Sequence, residues 1–236
     1  MFKASHVDWL SGTALAVSPV GYGTVALVLV LFFLVGGIPF GYLAGRMKGV
    51  DIRTMGSGNI GATNAFRVLG RGWGSLVFFL DFFKAFGPVL MLAIFLREGV
   101  WECTVMDGDL MVILGGVAVV LGHNFSPFMG FKGGKGMASS AGFLFAFLPW
   151  AGLCCVLAFF VVFLLSRYVS LGSIAASIML PLSSFYFYQG EPWKLGAALL
   201  LGGMGVWKHR SNIQRLRAGT ELRFGRKKPD ESGGEE

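Results

Sequence analysis

The chain has 236 residues, 54% of them apolar and only 14% charged, with a mean hydropathy of +0.66. That balance excludes a soluble globular domain and a disordered chain, and describes an integral membrane protein. Its net charge of +7 does not point to nucleic acid, because no basic domain with interleaved aromatics is present; the charge is spread as a membrane topology signal.

Residues 1–23 read as an extension outside the bilayer. Asp8, Pro19 and the lack of a compact apolar core before a cleavage site argue against a signal peptide. A spanning helix needs about 20 apolar residues, and runs near 24–45, 73–97, 108–126, 136–148, 150–167, 170–189 and 193–208 qualify as candidates. The fourth is short, and 136–167 has an alternative reading as one long helix, which Pro149 opposes only in part because proline can kink a helix as well as end it. Charge placement decides for seven crossings with the N-terminus outside. Arg46, Lys48, Arg53, Arg67, Arg71, Lys132, Lys135, Arg167 and every basic residue from Lys208 onward then lie on the inner side. Glu98, Glu102, Asp107, Asp109 and Glu191 fall outside. The expected fold is therefore all-α, a polytopic helix bundle. Cys103, Cys154 and Cys155 form neither a disulfide framework nor a metal-ligand pattern and read as packing residues. The last stretch, 222–236, is polar and expected to be a disordered cytoplasmic tail.

Three polar islands interrupt this oily pattern, and seven crossings bring all three to the inner face. The first, residues 56–67, reads G-S-G-N-I-G-A-T-N-A-F-R. Its glycines let backbone N–H groups turn toward one point, Ser, Thr and Asn add neutral hydrogen-bond partners, and Arg67 adds a fixed positive fork, which together suit a phosphate. The second, 122–138, carries Lys132, Gly133, Gly134 and Lys135 just before a helix that begins near Gly136, an arrangement expected to trap an anion at the helix N-terminus. It lacks the G-x-x-x-x-G-K-[ST] spacing of a nucleotide-hydrolysing loop. The plainer alternative is that its lysines are interfacial anchors. The third, 209–221, has His209 and Asn212 three apart, on one helical face if the last span continues past Lys208. His123 is expected to be structural, orienting the lysine loop. Asp81 and Lys84, at i and i+3 within an apolar run, must pair with each other or line the site, since an unpaired charge there costs about 2.5–3.5 kcal/mol.

These residues carry a resemblance. G-S-G-N-I-G-A-T-N, then G-H-x-F-x-P-F-x-x-F-K-G-G-K-G, then H-R-x-N-I-x-R-L-x-x-G-T-E, with I-P-F-G-Y-L at 38–43 and D-I-R at 51–53, resemble the bacterial acyl-phosphate:glycerol-3-phosphate acyltransferases (the PlsY family) over about residues 25–224. Gly37 stands where the family pattern has Ser, Ala85 where it has Gly, and Ser126 precedes Pro127; these departures touch packing and leave the phosphate-binding residues intact.

The resemblance implies a single membrane acyltransferase domain at 24–221, in the bacterial inner membrane with its site toward the cytoplasm. It implies transfer of a fatty acyl group from acyl phosphate to the 1-hydroxyl of sn-glycerol 3-phosphate, giving lysophosphatidic acid and inorganic phosphate. Ser57, Asn59, Thr63, Asn64 and Arg67 are then expected to hold phosphate and glycerol oxygens, and Lys132, Gly133, Gly134 and Lys135 the acyl phosphate. His209, Asn212 and Glu221 complete the wall. Ser57, Lys135 and His209 stand closest to the chemistry, with no metal and no cofactor. Expected partners are the two substrates, membrane lipids and an enzyme that supplies acyl phosphate; no nucleic acid is expected. An acyl phosphate is already activated, so positioning and charge stabilisation matter more than a covalent nucleophile, and Ser57 reads as a ligand. Either His209 or a substrate phosphate oxygen accepts the hydroxyl proton.

The residues argue against three rival readings. An organic-phosphate transporter or channel would place charges near membrane depth and show inverted repeats, and no internal repeat is evident. An acyltransferase of the H-x4-D type is excluded because none of His6, His123 and His209 has Asp five residues on. A phosphatidyl-alcohol transferase needs clustered aspartates, and Asp107 and Asp109 fall on the wrong side.

Overall fold

The computed structural model describes residues 18–225. Of the expected extension, residues 1–17 lie outside the described residues, as do 226–236 of the expected tail. The chain enters through β1 (Ser18–Val20), which pairs in parallel with β2 (Trp101–Cys103), Ser18 opposite Trp101 and Val20 opposite Cys103. Everything of length beyond that ribbon is helix, because a backbone surrounded by hydrocarbon must satisfy its own polar groups.

The first apolar run, expected as one span near 24–45, is split by Ile38 and Pro39 into α1 (Tyr22–Gly37) and α2 (Phe40–Met47), because proline supplies no N–H and restricts the residue before it. A short α3 (Ala62–Val68) precedes the 27-residue α4 (Arg71–Arg97), which absorbs Pro88 without breaking. Helix α5 (Gly108–Asn124) begins at Asp107, whose carboxylate accepts the Leu110 N–H at 3.1 Å, a side-chain cap of the first turn. Then follow α6 (Met137–Phe147) and α7 (Pro149–Ser166), with Pro149 at the first helical position of α7, so 136–167 is not one helix. Helices α8 (Val169–Phe187), α9 (Pro192–Lys208) and α10 (Arg210–Arg217) complete the chain. Among the described residues, five spans are long and apolar enough to cross a bilayer unaided: 22–47, 71–97, 108–129, 149–166 and 169–187. Helix α6, with 11 residues, extends only about 16 Å and packs its length along α4.

Packing follows two groups, α1 on α5 and α4 on α6 in one, α7 on α8 and α8 on α9 in the other. Val89, Met111, Val112, Phe143 and Leu148 are buried at the centre, while Leu27, Leu31, Leu157, Val161, Leu164 and Leu165 stay exposed, the lipid-facing surface of α1 and α7. Lipid offers no hydrophobic drive between helices, so close backbone approach through small residues substitutes for it. At Gly122 a Cβ would strike the Phe33 carbonyl oxygen and come within 2.9 Å of the Gly37 nitrogen. Gly122→Val is therefore expected to force α5 off α1 at a cost of about 3 kcal/mol, read as a lowered unfolding midpoint in detergent; an unchanged midpoint would refute this account of the α1–α5 seam.

One polar cluster is buried within the spans. The Lys84 ammonium donates to Asp81 Oδ1 at 2.7 Å and to the Ile38 carbonyl at 2.9 Å, and stands 3.0 Å from His123 Nδ1. Asp81 and Lys84 thus pair with each other, as expected, and His123 is the third member, which the i, i+3 spacing on α4 had no means of revealing. The same ammonium ties α4 to the α1–α2 break and to α5.

Candidate active site

The three polar islands meet at one end of the bundle, around a cavity of about 510 Å³. Its head is lined by Ser57, Asn59, Thr63, Asn64, Arg67, Lys135, His209, Asn212 and Glu221, and its depth by Leu144, Val156, Phe159, Phe160, Leu180, Leu201 and Met204. It is one space, with its cations gathered at one end and mostly apolar side chains along the rest.

The 51–61 loop builds the first wall. Asp51 caps the 3-10 turn Ile52–Thr54 through the Arg53 N–H at 3.0 Å and grips the Arg53 guanidinium at 2.6 Å. Asn64, 1% exposed, fixes the loop from α3: its Oδ1 accepts the Ser57 N–H at 2.8 Å, and its Nδ2 donates to the carbonyls of Ile52 at 3.0 Å and Met55 at 3.1 Å. Its amide is engaged by backbone on both sides, which makes Asn64 a positioning residue for the loop. Asn59 Oδ1 accepts the Gly61 N–H at 2.8 Å, turning the chain into α3. Among the described residues, Ser57 Oγ, Thr63 Oγ1 and the Asn59 NH2 have no side-chain partner and line the cavity.

The lysine loop departs from its expected use. The N–H of Gly133 bonds the Asn124 carbonyl at 3.3 Å and that of Gly134 the His123 carbonyl at 3.0 Å, so both donors serve the C-terminus of α5 and are not presented to an anion. Glycine is needed at 134 because a Cβ there would strike His123 Nε2; His123 does carry the loop, by direct contact. Lys132 is exposed and does not line the cavity. Lys135 does, together with Gly136, Met137 and Ala138 at the start of α6, where unbonded first-turn N–H groups keep a positive end toward the head of the chamber.

Lys135 donates to Asn212 Oδ1. Asn212 Nδ2 in turn donates to Glu221 Oε1 at 2.7 Å, an oxygen that also accepts from Ser170 at 2.8 Å, while Arg215 Nε donates to Oε2 at 2.7 Å. Burial works against the Glu221 charge, but these bonds from Asn212, Ser170 and Arg215 outweigh it and hold the carboxyl below its usual range. Asn212 and Glu221 therefore aim the ammonium more than they offer free groups of their own. Burial pushes Lys135 down to about 8; Glu221 opposes the shift, and Arg215 and Arg67 add to it.

His209 does not continue α9. It forms the junction between α9 and α10, with φ −94° and ψ 8°, yet it and Asn212 both line the cavity. Its Nδ1 lies 2.8 Å from the Gly205 carbonyl, which fixes Nδ1 as the protonated nitrogen and leaves Nε2 as an acceptor. Burial, then the nearby Lys135, lower its pKa to about 4, so the ring is neutral. A carbonyl one turn back does here what an orienting carboxylate does elsewhere. The sequence reading missed Gly205 for that reason, and missed Ser170 although Ser170, Ser173 and Ser177 repeat at helical spacing along α8 and all line the cavity.

A bilayer-spanning helical scaffold with cations gathered at the head of one largely apolar chamber defines an integral membrane protein, and the comparisons make it an acyltransferase. Residues 26–219 match the family model described as glycerol-3-phosphate acyltransferase. The chain is 45% identical to the glycerol-3-phosphate acyltransferase of Aquifex aeolicus, over 84% of this chain and 99% of the relative, and 38% identical to that of Desulforamulus reducens, over 87% and 98%. It is similar to the crystal structure of PlsY (YgiH), an integral membrane glycerol 3-phosphate acyltransferase, in its glycerol 3-phosphate form: TM-score 0.76, 40% identity, 86% of this chain and 96% of that one. The lysophosphatidic acid form of that protein matches at TM-score 0.74. The chain belongs to the glycerol-3-phosphate acyltransferase family.

Proposed function

We propose that the protein moves a fatty acyl group from acyl phosphate to the 1-hydroxyl of sn-glycerol 3-phosphate, releasing lysophosphatidic acid and inorganic phosphate. The observation that carries this reading is the single cavity with Arg67, Lys135 and His209 at its head and apolar side chains of α6 to α9 along its depth. A dianion fits the head, and a lipid phosphate fits head and depth together. The Aquifex and Desulforamulus relatives bear the acyltransferase name without a stated donor; an acyl phosphate is favoured because the site offers charge and orientation, with Ser57 held as a ligand by its loop.

In the proposed reaction Ser57, Asn59, Thr63 and Arg67 hold glycerol 3-phosphate, and Lys135 bonds the acyl phosphate. The glycerol hydroxyl oxygen attacks the acyl carbon, the bond from that carbon to the phosphate oxygen breaks, and Lys135 stabilises the charge on the departing phosphate. His209 Nε2, an acceptor in the neutral ring, takes the hydrogen bond of the attacking hydroxyl and orients it. The proton ends on a phosphate oxygen, because a phosphate dianion, with a conjugate acid of pKa about 6, is a better base than an imidazole lowered to about 4. The site then faces the cytoplasm on seven crossings, the side that Arg46, Lys48 and Arg71 select under the positive-inside rule, and a donor-forming enzyme supplies the lipid substrate.

The test is purified protein with palmitoyl phosphate and glycerol 3-phosphate, without metal or coenzyme A. Equal release of inorganic phosphate and palmitoyl-lysophosphatidic acid is expected. Product formed only when palmitoyl-coenzyme A replaces palmitoyl phosphate would overturn the donor assignment.

A further inference from the structure

Past Glu221 the chain does not leave the protein. Residues 222–224 turn back onto Arg67 and Arg167, beyond the last residue that the family model matches, 219. Three anchors hold them. The Leu222 carbonyl accepts from Arg67 Nη2 at 3.3 Å, the Phe224 N–H donates to the Arg167 carbonyl at 2.9 Å, and the Arg223 guanidinium lies over the Tyr168 ring at 5.1 Å. Arg167 takes up that bond from the left-handed region, φ 63°, at the end of α7, a conformation that costs a non-glycine residue of order 1 kcal/mol or more and persists where surrounding structure demands it. The Phe224 ring packs edge-on against Phe163, centroids 5.6 Å apart at 79°. Both rings line the cavity, and Phe224 keeps 44% of its surface exposed, so it stands at the rim with one face toward the chamber.

The strap thus joins the two kinds of group that a lipid phosphate meets in sequence. Through Leu222 it orients Arg67 at the polar head, and through Phe224 it extends the aromatic wall begun by Phe159 and Phe163. A polar tail without these anchors would leave Arg67 with one donor unspent and the chamber open beside Phe163.

We propose that residues 222–224 are a strap that makes Phe224 a specificity-determining residue for the lipid substrate, closing the acyl chamber against Phe163 while Leu222 holds Arg67 in place. The proposal rests on the reading of acyl phosphate as donor. Removing the ring costs the lipid substrate an aromatic contact and leaves the glycerol phosphate contacts in place.

The experiment measures KM for palmitoyl phosphate and for glycerol 3-phosphate separately in the full chain, in Phe224→Ala, in Phe224→Trp, and in chains ending after Glu221 or after Gly225. Phe224→Ala is expected to raise the palmitoyl phosphate KM roughly 3- to 10-fold, with kcat and the glycerol 3-phosphate KM within about 2-fold. Phe224→Trp restores it, and ending the chain after Glu221 matches or exceeds the alanine effect, whereas ending it after Gly225 does not. In Phe224→Ala an unchanged lipid KM or an equal rise in both KM values, or an effect of the same size on ending after Gly225, would overturn the proposal. Binding of palmitoyl-lysophosphatidic acid gives the same ratio without catalysis. Absence of turnover by the full chain then counts against the donor alone, and equal affinity of the full chain and Phe224→Ala counts against the strap.

Discussion

Lys135→Ala is expected to lower kcat by about 100- to 1000-fold, the usual loss when a single preorganised group facing developing charge is removed. The cation has no substitute at its position: Lys132 is exposed outside the cavity, and Gly133 and Gly134 spend their N–H groups on α5. A pH profile separates this role from a packing role. Burial, offset by Glu221 and reinforced by Arg215 and Arg67, brings Lys135 from 10.5 to about 8. In the proposed reaction the charged form is the active one, so kcat/KM, which reports the free enzyme, is expected to be full below that value and to fall as pH rises through about 8. Bound phosphates favour the ammonium, so the limb in kcat moves to higher pH. Lys135→Arg keeps a charge that does not titrate in this range, and the alkaline limb should vanish even where overall activity is reduced by the poorer fit to Asn212. A limb near pH 8 that persists in the arginine variant would assign it to another group.

His209→Ala should cost roughly 100-fold in kcat, and His209→Asn should recover part of that loss. In the proposed reaction the Nε2 acceptor orients the attacking hydroxyl, and a lone hydrogen bond to a group gaining charge is worth about 1.5–3 kcal/mol, or 10- to 100-fold. If the imidazole took the proton itself, asparagine, which has no comparable basicity, would be as inactive as alanine, and losses would extend toward 10,000-fold. The two readings also differ in the acid limb of kcat/KM. A base at about 4 titrates well below the range where a phosphate gains its proton, near 6. Steady-state kinetics of the two variants between pH 5 and 9, with circular dichroism to show that each remains helical, decides between them.

The helices were legible because lipid imposes a simple rule. Any segment crossing it must be apolar and must satisfy its own backbone, so runs such as 73–97 and 150–167 stand out at nearly the bounds of α4 and α7. Pro149 was ambiguous on its own because proline both starts and kinks helices; the folded chain uses it to start α7. The three islands were legible as departures from that rule, and the folded chain brings residues of all three to one cavity.

Within the islands, composition announced phosphate chemistry without assigning the work. Asn64 and Gly134 belong to the motifs as firmly as Ser57 and Lys135, yet Asn64 is consumed by Ile52, Met55 and Ser57, and Gly134 by His123. Which polar group remains free depends on what lies across from it, and those partners come from segments far away in the chain: Ser170 against Glu221, Leu222 against Arg67, Ile38 against Lys84. The sequence by itself determined that this is a helical membrane protein with a phosphate-handling end, because hydrophobic burial is written residue by residue in composition and spacing. Only the tertiary structure decided which cation faces the chamber, which nitrogen of His209 is free, and that the chain past Glu221 returns to Arg67 and Arg167, because hydrogen bonds are pairwise and directional and each is settled only when both partners are in place.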